Sequence, residues 1–161
     1  MSDIFVILLS LWLSQAPVAT TTDCRENSPS GQQVRAVAVG IIGADNARDL
    51  ERIRTSYAPD AILLPPEEPP VQGWNAIRPR YEALFAGFNP AIDGHIEEIC
   101  VSGALAFVRG RNGGRLEGRA GQPSRALNDV YLMLLRYQVA TGWRISHLVW
   151  HSATKAGPRM P

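Results

Sequence analysis

From Gln32 onward, apolar residues recur at the helical period, at Val34, Val37, Ile41 and Ala44, and predict a first helix. Asn46 is a residue type that caps helices, and Asp49 follows in what would be the first turn of a second helix. Ala47, Leu50, Ile53 and Tyr57 would form its apolar stripe, with Pro59 as its stop. Residues 61–64 then read as a short strand leading into Pro65-Pro66-Glu67-Glu68-Pro69-Pro70, through which neither a helix nor a central strand can pass. After Gly73, Asn75 can cap a third helix with Ile77, Tyr81, Leu84, Phe85 and Phe88 on one face. Pro79 is compatible with it only in the first turn, and Gly87 with Asn89-Pro90 ends it.

The remaining pattern has the β period, at 92–101, 104–111, 115–119, 127–137 and 143–152. Turns are expected at Ser102-Gly103, at Asn112-Gly113-Gly114 and at Thr141-Gly142. Three helices followed by a run of strands is an α+β order, in which helices cover one face of an antiparallel sheet. The division of the chain follows: a leader over 1–22, a polar linker over 23–31, one domain over 32–152 and a disordered tail over 153–161.

Composition narrows the picture. The 161 residues suffice for one domain with its own core. Sixteen Lys and Arg against fifteen Asp and Glu leave no basic stripe for nucleic acid and no pull toward an anionic membrane. The local basic cluster Arg109, Arg111, Arg115 and Arg119 surrounds Asn112-Gly113-Gly114 and reads as a solvated hairpin.

At the N-terminus, Ile4-Phe5-Val6-Ile7-Leu8-Leu9-Ser10-Leu11-Trp12-Leu13 is too short to span a bilayer and matches the apolar core of a secretory signal. Asp3 in place of a basic residue and Pro17 near the cleavage region depart from that pattern, and a hydrophobic element of the fold is the other reading. Export, to a periplasm or the medium, with no membrane attachment after signal removal, makes one disulfide between Cys24 and Cys100 the expectation. It would stabilise the fold by about 4.5 kcal/mol at most through loop closure. Two free thiols are the alternative.

Several motifs resemble the SnoaL-like branch of the nuclear-transport-factor-2-like superfamily. They are Tyr57-Ala58-Pro59-Asp60-Ala61-Ile62-Leu63-Leu64-Pro65-Pro66, Gly73-Trp74-Asn75-Ala76-Ile77-Arg78, Tyr81-Glu82-Ala83-Leu84-Phe85, Gly142-Trp143-Arg144-Ile145 and Val149-Trp150. The resemblance implies a cone: a curved mixed or antiparallel sheet wrapped around about three N-terminal helices, with an apolar pocket open at one end. It implies pocket positions at Tyr57, Leu63, Pro65, Tyr81, Phe85, Met133 and Val149, a rim role for the proline segment, and a homodimer through the outer sheet face. Matched to ketosteroid isomerases of this fold, the carboxylate base falls near Pro65, the tyrosine donor near Ile41 and the protonated-acid donor near Met133. None of these carries the needed group, although Asp129 or Tyr131 could stand in.

Strand alternation puts Trp143, Ile145, His147, Val149 and His151 on one face, and the resemblance makes that face line the pocket. His147 and His151 are therefore the candidate acid–base residues. A register one residue off would place Ser146, Leu148 and Trp150 there instead. The two histidines lie ~13 Å apart along a strand, too far to share a metal ion, so no metal or other cofactor is expected. Two functions remain open. One is an exported module that holds a small apolar molecule without isomerase chemistry. The other is a cofactor-free isomerase, cyclase or dehydratase-like enzyme that uses His147 or His151.

Overall fold

The computed structural model describes residues 22–25 and 27–153. The expected signal segment up to residue 21, and the expected tail beyond 153, lie outside the described residues.

The first helix, α1 (Pro29–Ala47), starts three residues earlier than the apolar pattern suggested, because Ser28 caps it. The Ser28 hydroxyl accepts from the Gly31 amide at 3.1 Å and Pro29 occupies the first helical position, where a missing amide costs nothing. Val34, Ala38, Ile41 and Ala44 form its buried stripe. Arg48 ends it in the left-handed conformation, with its amide bonded back to the Ala44 and Asp45 carbonyls.

The cap of α2 (Leu50–Ser56) is Asp49, whose carboxylate accepts from the Arg52 amide at 3.0 Å. Asn46 serves the sheet instead. Its amide side chain donates to the Ile92 carbonyl and accepts from the Ile92 amide, pinning the end of α1 to the strand below. Tyr57 lies outside α2 and opens a strand, β2 (Tyr57–Leu64), that passes through Pro59. The third helix, α3 (Trp74–Gly87), is capped by Gly73 at φ 76° with no side-chain bond, and it contains Pro79 in its second turn.

The polar segment before α1 contributes a short strand, β1 (Thr22–Asp23). The others are β3 (Val71–Gln72), β4 (Phe88–Ser102), β5 (Leu105–Gly118), β6 (Arg125–Ala126), β7 (Asp129–Gln138) and β8 (Gly142–Ser152). All eight belong to one curved, unclosed sheet in the order β1-β4-β5-β7-β8-β2-β3, with β6 beside β5. Every pairing is antiparallel except β2 with β8, so the sheet is mixed. The proline segment joins β2 to β3, which folds back on β2 as a two-pair hairpin. Cys24 and Cys100 form a disulfide that ties the segment after β1 to β4.

Asn112-Gly113-Gly114 is not a turn. These residues continue β5 and pair with Gly94, Asp93 and Ile92 of β4. Glycine is required at Gly114, where φ is 101° and a Cβ would collide with the Ala91 carbonyl oxygen. The surrounding arginines are partly engaged, with Arg109 and Arg111 paired to Glu97, Arg109 also to Glu98, and Arg119 donating to the Phe85 carbonyl.

Between the helices and the concave sheet face lies a core in which Val34, Ala38, Ile53, Ile77, Val108, Leu135 and Ile145 are wholly buried. At one point the sheet breaks step. Leu135 pairs with Ile145 but Leu134 pairs with His147, leaving Ser146 as an extra residue. Its hydroxyl donates to the Leu134 carbonyl at 3.2 Å, which compensates a buried polar group in an apolar setting.

Candidate functional site

The bulge at Ser146 reverses which residues of β8 face the helices. Trp143 and Ile145 point into the core before it, whereas Leu148 and Trp150 point inward after it. His147, Val149 and His151 therefore alternate onto the outer face, paired with Leu134, Leu132 and Val130. The uniform alternation expected for this strand fails because one inserted residue shifts a period-two pattern by one. Ser146 itself is buried at the bulge, with the His147 Nδ1 at 3.2 Å from its hydroxyl.

The inward residues beyond the bulge border a cavity of about 460 Å³. Its apolar wall includes Leu63, Leu84, Phe88, Ile92, Leu116, Leu148 and Trp150, with Tyr81 alongside. Of the expected pocket positions, Leu63 and Tyr81 line it. Tyr57 is buried and touches the wall indirectly, through a 2.9 Å hydrogen bond between its hydroxyl and that of Tyr81. Burial pushes both hydroxyls well above the ordinary tyrosine range. Phe85 and Met133 belong to the core instead, Pro65 is buried at the end of β2, and Val149 faces outward.

Three polar groups in the cavity wall have a sealed atom without a hydrogen-bond partner: Asp45 Oδ1, Asn112 Oδ1 and the Tyr131 hydroxyl. They come from neighbouring elements of the fold. Asn112 lies two residues along β5 from Gly110, the cross-strand partner of Tyr131, so the two are diagonal neighbours on the concave face. The last turns of α1 lie over β4 at this place, with Asn46 bonded to Ile92 and the Ile42 side chain against Gly94, the partner of Asn112. Asp45 stands in that turn. Gly110 makes room for Tyr131, because a Cβ there would come within 2.5 Å of its hydroxyl.

Removal from water governs the electrostatics. Burial raises the Asp45 carboxyl to about 7, so it exchanges its proton near neutral pH. Burial, with the Glu97 charge as a smaller contribution, raises Tyr131 to about 12 and keeps it protonated. Two arginines also reach the wall, but each has a neighbour. Arg80 is gripped by both oxygens of Glu68 at 2.6 and 3.1 Å, and the Arg125 guanidinium lies 4.9 Å over the Phe88 ring. The proline segment thus carries Glu68, which fixes a cation at the cavity edge. Asp129 completes the polar lining and accepts from the Ser152 hydroxyl.

Asp45 carried a legible signal: it continues the series Val34, Ala38, Ile41, so a carboxylate sits on the buried stripe of an amphipathic helix. Asn112 carried none, since Asn-Gly-Gly is ordinary turn composition. His95 is exposed on β4. Among the described residues, no group of three or more His, Cys, Asp or Glu is placed to hold a metal ion. A second hollow of about 230 Å³, between α1, α2 and β8, is lined by Arg52, Thr55, Ser56 and Arg144. The hydroxyls of Thr55 and Ser56 both donate to the Arg52 carbonyl and are spent on the helix.

A curved sheet wrapped around helices, with a cavity between them, defines a fold shared by binding proteins and enzymes. The SnoaL-like domain matches residues 38–146, and the chain belongs to this family, a branch of the nuclear-transport-factor-2-like superfamily. Solved structures agree on the fold. A ketosteroid isomerase-like protein from Erwinia carotovora atroseptica is 22% identical, covers 77% of this chain and 96% of its own, and superposes with a TM-score of 0.71. A nuclear transport factor 2-like superfamily protein from Salmonella enterica serovar Typhimurium is 15% identical over 80% of this chain and 94% of its own, with a TM-score of 0.69. The CaMKII hub of S. rosetta is 13% identical over 76% and 95%, with a TM-score of 0.63. No curated protein is matched by the chain.

Proposed function

We propose that the protein binds a small, largely apolar molecule in the cavity beyond the Ser146 bulge, holding its polar end at Asp45, Asn112 and Tyr131. The observation that carries this reading is a hollow of about 460 Å³ whose mainly apolar wall also takes in Asp45, Asn112 and Tyr131. An apolar hollow with a few polar groups is the ordinary form of a small-molecule site. Ketosteroid isomerase chemistry is not part of the proposal, because Pro65, Ile41 and Met133 supply neither base nor donors. The Cys24–Cys100 disulfide supports an exported location.

A homodimer through the outer sheet face belongs to the same proposal. Leu105, Leu132, Leu134 and Val149 are exposed large apolar residues of this sheet. Leu132–Val149 and Leu134–His147 are cross-strand pairs, so the last three of these apolar residues and His147 form one surface.

A second reading, acid–base catalysis without a cofactor, is favoured by one feature: a carboxyl group, Asp45, stands in the cavity wall and burial raises it to about 7. In that reading Asp45 takes the role that uniform strand alternation would assign to His147 and His151, which face away from the cavity.

Native mass spectrometry of the purified protein tests the binding proposal. We expect a retained mass of a few hundred daltons, released on unfolding, and a change in Trp fluorescence on refilling that is lost in Trp150→Phe. A protein that carries no ligand and responds to no apolar compound in a broad panel defeats the proposal.

A further inference from the structure

Resting on the binding reading above, we infer that the bound molecule is an apolar-bodied carboxylic acid. Its carboxylate pairs with Arg125 at the cavity edge, away from Asn112 and Tyr131.

Strand register places the cation. Arg125 of β6 is the direct cross-strand partner of Leu116 on β5, so the two side chains leave the sheet on the same face. Leu116 is buried in the cavity wall, which makes that face the concave one. Phe88 of β4 lies across from Gly118, two residues along β5 and on the same face. The Arg125 guanidinium sits 4.9 Å from the centre of the Phe88 ring, and Phe88, Leu116 and Arg125 all line the cavity. Arg125 itself is exposed, which sets its charge where the wall meets solvent.

The guanidinium lacks an acceptor. Among the described residues no carboxylate pairs with Arg125 and no oxygen accepts from its N–H groups; its partner is the Phe88 ring. Of the two arginines in the wall, Arg80 is gripped by both oxygens of Glu68, so only Arg125 keeps its charge open to an anion. The wall's own carboxyl groups compete little. Asp129 pairs across β5 with Asn112, four residues from Leu116 or roughly 13 Å of extended strand, and its carboxylate accepts from Ser152. Asp45 is held back from ionising by burial.

A carboxylate suits this place better than other polar groups. Its two oxygens match the planar guanidinium fork and carry the opposite charge. A hydroxyl or carbonyl brings one oxygen and no charge, and an ammonium is repelled. The apolar body then packs on Phe88, Leu116 and Leu127 and reaches toward the polar groups beyond.

The test is isothermal titration of the whole protein at pH 7 with three probes of one shape: 6-hydroxy-2-naphthoate, 6-(hydroxymethyl)-2-naphthol and 6-(aminomethyl)-2-naphthol. Each offers a phenolic hydroxyl to the polar part of the wall, and they differ only at the far end. The carboxylate should bind about 5-fold more tightly than the alcohol, the size of a well-placed exposed ion pair, and the amine should bind most weakly. In about 1 M NaCl the preference should shrink toward unity, because the pair is open to solvent. Arg125→Gln should abolish the preference. Arg125→Lys, which keeps the charge without the fork, should retain part of it. An alcohol that binds as well as the carboxylate overturns the inference and leaves the binding proposal standing, as does a preference that survives Arg125→Gln. Binding by none of the three overturns the inference, and the binding proposal falls with it only if the broad panel of apolar compounds is silent too.

Discussion

Each half of β8 turns a Trp and an aliphatic residue toward the helices, and the two halves meet different surroundings. In the first half, Trp143 and Ile145 pack into a dry core with Val34, Ile53 and Leu135. In the second, Leu148 and Trp150 face the same side of the sheet but border a cavity that also holds Asp45, Asn112 and Tyr131. Between them stands one extra residue, Ser146. Were Ser146 to pair as an ordinary residue of the strand, the second half would send His147, Val149 and His151 inward and expose Leu148 and Trp150. A single bulge thus decides whether the cavity is lined by imidazoles or by an indole. Bulges occur where a sheet must re-aim side chains near a site, and this one does so at the boundary between core and cavity.

The contrast can be broken most severely by Ile145→Asp, which places an unpaired carboxylate in the dry core. We expect a loss of about 5 kcal/mol, comparable with the whole stability of a domain, read as failure to fold cooperatively in urea. A variant with an ordinary unfolding midpoint would show that this half of β8 is open to water.

Truncation compares the halves directly. Ile145→Ala empties a site with no solvent exposure and should cost about 3–4 kcal/mol. Leu148→Ala only enlarges an existing cavity and should cost about half as much in the same urea titration. Equal losses would mean that the cavity end is packed like the core.

The third prediction concerns Asp45 and carries a definite sign. Its folded-state value of about 7 lies above its ordinary 3.8, so its favourable contribution is full below pH 4 and is lost as pH rises through 7. Asp45→Asn should therefore be close to neutral for stability at pH 4 and stabilising at pH 8, by roughly 1–3 kcal/mol. Thermal unfolding of both proteins across that window measures it. A difference that does not vary with pH would place the carboxylate in water.

The smallest effect should come from the outer face. Val149→Ala removes a side chain that is 36% exposed and should change folding by less than about 0.5 kcal/mol at concentrations where the protein is monomeric. If the outer face pairs two copies, the same substitution weakens self-association in sedimentation experiments. A folding loss as large as that of Leu148→Ala would contradict the facing of β8.

The features legible along the chain are local and periodic. The buried stripe of α1, the three helices before a run of strands, and the cysteine pair were readable, because helix period, proline and glycine placement and cysteine count act over short distances or through composition. The motifs also sufficed to indicate the cone. The ends of elements were less legible: Asn46 was a plausible cap, but the sheet claims its side chain and leaves Asp49 to start α2. Asn112-Gly113-Gly114 has turn composition, yet it pairs with β4 through all three residues.

The site was decided only in three dimensions. A bulge leaves no mark in a strand whose flanking residues are all compatible with either face, so the inward set of β8 depended on how β7 paired with it. Asp45, Asn112 and Tyr131 come from one helix and two strands, and nothing local to any of them indicates the others. Their shared property, a polar atom cut off from water, arises from burial, and burial is created by the packing of α1 onto a curved sheet rather than by any stretch of chain alone.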